Sequence, residues 1–155
     1  MRKKRVYKKH YKGDTAHNRV DIGRLINYIM RDGKKSVAEK CVYDAFKRIK
    51  ELTKEEGIVV FDRAMENTQP LLEVASRRVG GANYQVPREV TPARKFVLAL
   101  RWIVGAAKSR KGRPMAEKLA DEIIAASKNE GSAIKKKQDT HRMAEANRAF
   151  AHFAK

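Results

Sequence analysis

Apolar residues recur at helical spacing along most of the chain, and one central stretch breaks that rhythm. Ile22, Leu25, Ile26 and Ile29 share one face, with Asp21 the expected N-cap and Gly33 the stop. A second helix is expected from Ser36, where Glu39 three residues on completes a capping box. Its apolar stripe is Val37, Ala38, Cys41, Val42, Ala45 and Ile49. After Gly57, the residues Val60, Phe61, Ala64 and Met65 mark a third helix that ends before Pro70. Thr91-Pro92 is an N-cap and first-turn pair for a fourth. There Phe96, Ala99, Leu100, Ile103, Val104 and Ala107 make the clearest amphipathic run, which is expected to be the central core helix. Pro114 opens a fifth with Met115, Leu119, Ala120, Ile123 and Ile124 inward, closed at 129–131. A sixth is expected from near Ser132 to about Phe150.

The exception lies at about 72–90. Val, Tyr and Arg alternate there on either side of Gly80-Gly81-Ala82-Asn83, four residues suited to a turn with positive φ. Two antiparallel strands of about six residues would make an arm on the order of 20 Å long. An isolated hairpin is marginal in water, so this one has to lean on the helices or on a partner. Arg77, Arg78 and Arg88 point to a polyanion as that partner.

Charge sharpens that reading. Among 155 residues, 36 Lys and Arg face 18 Asp and Glu, a formal net charge of +18. Nucleic acid is the first candidate partner and an anionic membrane surface the second. No apolar run approaches the ~18 residues of a membrane-spanning helix, and no signal-peptide pattern opens the chain, so a soluble, intracellular protein is expected. The single cysteine, Cys41, leaves no internal disulfide and fits a reducing compartment.

The excess of positive charge is gathered in five places. The first 20 residues carry Arg2, Lys3, Lys4, Arg5, Lys8, Lys9, Lys12 and Arg19 against Asp14 alone, which predicts a disordered basic arm. Tyr7, His10 and Tyr11 stand among those charges, placed to stack on exposed bases. The other four are the corner at Arg31, Lys34 and Lys35, the hairpin, the link with Arg110, Lys111 and Arg113, and the turn at Lys135, Lys136 and Lys137. Arg94, Arg101 and Lys108 recur every seven residues on a face of their own. The three lysines at the start of the sixth helix have the wrong sign for a helix N-terminus, which suggests that they serve a ligand. Each cluster alone reads equally well as a solvated face, but together they fit a surface that tracks phosphates.

Catalytic chemistry finds no foothold. Gly33-Lys34-Lys35-Ser36 resembles the end of a P-loop, but Tyr28 replaces the first glycine and a helix precedes it instead of a strand. Cys41 falls in an apolar stripe and reads as a buried structural thiol. His10, His17, His141 and His152 lack cysteine partners and ligand spacing, so neither metal nor cofactor is expected. Glu39 and Glu117 are placed for helix pairing, and no acid and base converge on a cleft.

Several long motifs carry a family resemblance. Met30-Arg31-Asp32-Gly33-Lys34-Lys35, Pro70-Leu71-Leu72-Glu73-Val74, Arg77 through Pro87 and Ala99-Leu100-Arg101-Trp102 resemble bacterial small-subunit ribosomal protein number seven. So does the run Lys135 to Phe153, above all Asp139 to Asn147. The resemblance implies six helices with a β-hairpin between the third and fourth. It implies a cytoplasmic, non-enzymatic constituent of the small ribosomal subunit that binds 16S rRNA first and nucleates assembly of the subunit head. It also implies a hairpin near the exit-site tRNA at the subunit interface, placing Val79, Gly80, Gly81, Ala82, Asn83 and Tyr84 at that tip. Neighbouring small-subunit proteins, including numbers nine and eleven, are the implied protein partners, and some members repress their own operon through its mRNA. Two departures stand out. Lys12 to Asn18 lacks a proline-containing linker, and Ala151 to Lys155 replaces the Tyr-Arg-Trp ending of many relatives.

The expectation is a mainly α protein with a basic arm over 1–20 and one helical RNA-binding domain over 21–155. Its rRNA contacts are expected at Arg2, Lys3, Lys4, Arg5, Lys8, Lys9, Lys34, Lys35, Arg77, Arg78, Arg94, Arg110, Lys111, Arg113, Lys135, Lys136, Lys137 and Arg142. An architectural DNA binder is the competing class, although such arms carry an apolar wedge at the tip where this chain has Gly80-Gly81. A nucleotide-dependent enzyme comes third.

Overall fold

The computed structural model describes residues 11–154. Six α-helices and one antiparallel hairpin follow in order: α1 Val20–Ile29, α2 Lys35–Thr53, α3 Gly57–Thr68, β1 Leu72–Val79, β2 Ala82–Glu89, α4 Pro92–Ser109, α5 Met115–Ser127 and α6 Gly131–Ala146. A 3-10 helix, Arg148–Ala154, closes the described chain. The sixth helix is therefore shorter than its pattern suggests, and Phe150 belongs to a separate turn.

The core lies where α5 meets α2, α3, α4 and α6, and α4 shares this central position instead of holding it alone. Leu119, Ala120 and Ile123 of α5, Leu100 and Ile103 of α4, Phe61 of α3 and Ile49 of α2 are fully buried. Each large side chain among them contributes on the order of 1.5–3 kcal/mol through removal from water. Val37 departs from its assigned stripe and stands 64% exposed, while Phe46, absent from that stripe, is buried. The helix begins at Lys35, so Val37 lies in its first turn, off the buried stripe of Ala38, Val42, Ala45, Phe46 and Ile49. No capping box forms at that start, and Glu39 pairs with Lys35 one turn back (3.6 Å).

The start of α1 also differs. Its N-cap is Arg19, and Asp21 sits inside the first turn, where its carboxylate accepts from the Arg19 guanidinium. The same guanidinium reaches Asp62 of α3 (2.9 and 2.5 Å), so Arg19 ties two helices together and is not a free arm charge. Part of the expected arm is folded. Asp14 is only 4% exposed and accepts from the N–H groups of Ala16, His17 and Arg19 and from the Tyr43 hydroxyl. Burial raises its pKa, but those four donors outweigh it and hold the carboxyl below the usual range. The loop then crosses α1 closely: a Cβ on Gly23 would lie 2.7 Å from the Lys12 carbonyl oxygen, so only glycine admits this path.

Gly80 and Gly81, at φ 56° and 90°, form a two-residue turn with both central residues in the left-handed region. Ala82 and Asn83 accordingly belong to β2 and not to the loop, with Arg78 opposite Asn83 and Arg77 opposite Tyr84. Eight residues per strand give an arm of about 26 Å.

Candidate nucleic-acid interface

The hairpin stands on a charged base. Glu73 of β1 accepts from Arg88 of β2 (2.6 Å) and Arg94 of α4 (3.2 Å). Burial pushes its carboxyl up, but the two guanidinium groups prevail and hold it below the ordinary range. Beside it α6 packs on β1, and the Leu71 N–H donates to Nε2 of His141 (3.1 Å). Burial, reinforced by Lys137, lowers the His141 pKa and keeps the ring in the neutral form that can accept. Farther out, the 3-10 helix lies on β2. Tyr84 meets Phe150 and Phe153, each ring centroid 5.2 Å away, and Arg77 donates to the Phe153 carbonyl oxygen. Tyr84 is thus partly covered, and the arm leans on its own C-terminal turn as well as on helices.

The expected contact residues fall into two groups. Several cations already have an internal partner. Arg94 joins Glu73, Arg110 joins the fully buried Glu122 (2.6 Å), Arg113 joins Asp121 (3.2 Å) and Lys35 joins Glu39. Lys137 turns inward and donates to the Asn67 carbonyl oxygen (2.6 Å) at the end of α3; burial pushes its ammonium below the usual lysine range. By contrast, Lys34, Arg78, Lys111, Lys135, Lys136 and Arg142 are exposed, with no ion pair or side-chain hydrogen bond among the described residues. Arg2, Lys3, Lys4, Arg5, Lys8 and Lys9 lie outside the described residues.

The conflict of sign at the start of α6 has an internal answer. Glu122 accepts from the Ala133 N–H (2.9 Å), placing a carboxylate from α5 against the helix N-terminus. Gly131, at φ 92°, lets the chain pass that carboxylate, since a Cβ there would sit 2.9 Å from Oε1. Lys135 and Lys136 are then left free to face solvent.

Sequence reasoning passed over two further features. Arg31, Lys34, Lys108 and Lys118 rim a groove of about 360 Å³ with Met30, Cys41 and Met115 in its walls. Cys41 is half-buried there; burial, with Asp44 nearby, raises its thiol pKa. Arg24 stacks with its Cζ 4.7 Å from the Tyr11 ring centroid and 4.4 Å from that of Phe96. No periodicity announces either feature, because each joins residues distant in the chain. Among the described residues no group of His, Cys, Asp and Glu is arranged to hold a metal ion, and no helix is long and apolar enough to cross a membrane.

Comparison with known proteins points one way. The family model described as ribosomal protein S7p/S5e matches residues 1–148. The chain is 59% identical to small ribosomal subunit protein uS7 of Thermotoga maritima over 153 residues, 99% of each chain. It is 56% identical to the protein of that name from Thermosipho africanus and 53% identical to that from Lactococcus lactis subsp. cremoris, with 99% coverage again in both directions.

Proposed function

The chain belongs to the ribosomal protein S7p/S5e family, and on that premise we propose that it binds 16S rRNA directly and nucleates assembly of the small-subunit head. As a family member it is a structural constituent of the small ribosomal subunit and not an enzyme. The observation that carries the rRNA reading is the set of exposed cations without internal partners among the described residues, Lys34, Arg78, Lys111, Lys135, Lys136 and Arg142. They occur on loops, on the hairpin and on α6, so the rigid core fixes their spacing. Cations at fixed spacing suit a folded RNA, whose shape and phosphates are read more than its base edges.

Within this reading the arm carries further phosphate contacts, and the hairpin tip at Val79 to Asn83 approaches the exit-site tRNA. Tyr84 contributes there by holding the arm to Phe150 and Phe153. Neighbouring small-subunit proteins, including numbers nine and eleven, are its protein partners in this reading. Order of addition tests the primary role. The chain alone is expected to protect head nucleotides of protein-free 16S rRNA, with the other head proteins joining afterwards. A requirement for another protein before any protection appears would remove the nucleating role.

A further inference from the structure

We infer that Tyr11, Arg24 and Asn27 form a subsite for one unstacked base of the bound RNA, an assignment that rests on the rRNA reading above. The apolar residues Ile22, Leu25, Ile26 and Ile29 turn α1 inward, which leaves Arg24 and Asn27 on the opposite side, with half-buried Tyr28 at the flank. Tyr11, from the loop that crosses α1, completes a cavity of about 200 Å³ lined, among the described residues, by these four. That is below the roughly 300–1,000 Å³ of sites enclosing a drug-sized ligand and suits a single ring system.

The lining supplies what an extruded base needs. Tyr11 is 44% exposed, and one side of its ring is backed by the Arg24 guanidinium, which in turn contacts Phe96. A flat ring braced by a flat cation is a stacking platform, and stacking is how proteins hold unpaired RNA bases. Asn27 is exposed, and its amide makes no hydrogen bond among the described residues, so it has a donor and an acceptor to offer a base edge. Arg24 likewise has no ion pair among the described residues, which leaves its N–H groups for the attached phosphate. Among the described residues no carboxylate lines the cavity. The platform is also fixed in advance: Asp14 and the close approach at Gly23 hold the loop just after Tyr11 against the helix.

The test uses the full chain, a head-domain fragment of 16S rRNA and a duplex DNA of equal charge, each titrated across a salt series. Tyr11→Phe keeps the ring and binds rRNA as the unaltered chain does. Tyr11→Ala and Tyr11→Leu each weaken rRNA binding by roughly 5- to 150-fold, the range for removal of one stacked base. The salt slope stays unchanged, because every cation that meets a phosphate is still in place. Tyr11→Leu preserves bulk against Arg24, so a weakening there reads stacking and not collapse of the loop. Wild-type affinity in Tyr11→Leu overturns the subsite, as does a slope that falls together with affinity. If the unaltered chain itself fails to prefer rRNA over DNA, the rRNA reading falls and takes the subsite with it.

Discussion

Replacing Glu122 with Ala lowers the melting temperature by roughly 6–12 °C, on the order of 3 kcal/mol, in a thermal unfolding scan. The side chain is fully buried and makes two kinds of contact: an ion pair with Arg110 and acceptance from the Ala133 N–H. Its removal strands a buried N–H at the start of α6 and leaves a cavity beside Gly131. Arg110 is 38% exposed, so the released guanidinium hydrates, which keeps the loss near the lower end for a broken buried pair. Glu122→Gln retains an acceptor for Ala133 and should lose about half as much. A melting temperature unchanged in Glu122→Ala would mean that α6 is seated by its apolar contacts alone.

Glu122 also shows where sequence reasoning stops. The apolar spacing of α5 located its buried face at Leu119, Ala120 and Ile123, but nothing in that pattern marks a glutamate one position before Ile123 as fully buried. Its partners come from the link after α4 and the start of α6, and that meeting is a tertiary fact. Helix order, the hairpin and most of the core were legible because periodicity reports which face is inward. Helix starts were less so. Asp21 and Ser36 are good capping residues by type, yet the structure begins α1 and α2 one residue before each, with Arg19 and Lys34 as backbone caps. The candidate interface was legible as clusters of charge but not as individual contacts. A lysine run reads the same whether its members face solvent, as Lys135 and Lys136 do, or reach a carbonyl, as Lys137 does. Arg24 went unnoticed because its aromatic neighbours, Tyr11 and Phe96, are far away in the chain.

The sorting of cations leads to the second large effect. Changing Lys34, Lys111, Lys135 and Lys136 together to Gln should make the salt dependence of rRNA binding less steep by about four in log–log slope, one for each phosphate no longer neutralised. At 100 mM salt the affinity falls by on the order of a thousandfold. All four are exposed and without ion pairs among the described residues, so the fold should keep its melting temperature. Lys137→Gln is the contrasting control. It gives up the bond to Asn67 and costs stability, while the slope stays where it was. If Lys137→Gln changed the slope as much as Lys135→Gln, the division between outward and inward lysines would be wrong.

All of this supposes that the surface recognises folded rRNA and not polyanions in general. The deciding comparison sets the unaltered chain on a head-domain fragment of 16S rRNA beside the same chain on duplex DNA of equal charge, from 50 to 200 mM salt. With about six or more phosphates neutralised, non-specific binding to the duplex collapses by on the order of a thousandfold across that range. Binding to the rRNA fragment is expected to remain tight where the duplex has been released. A parallel collapse of both would refute shape recognition and leave only a basic surface without a preferred partner.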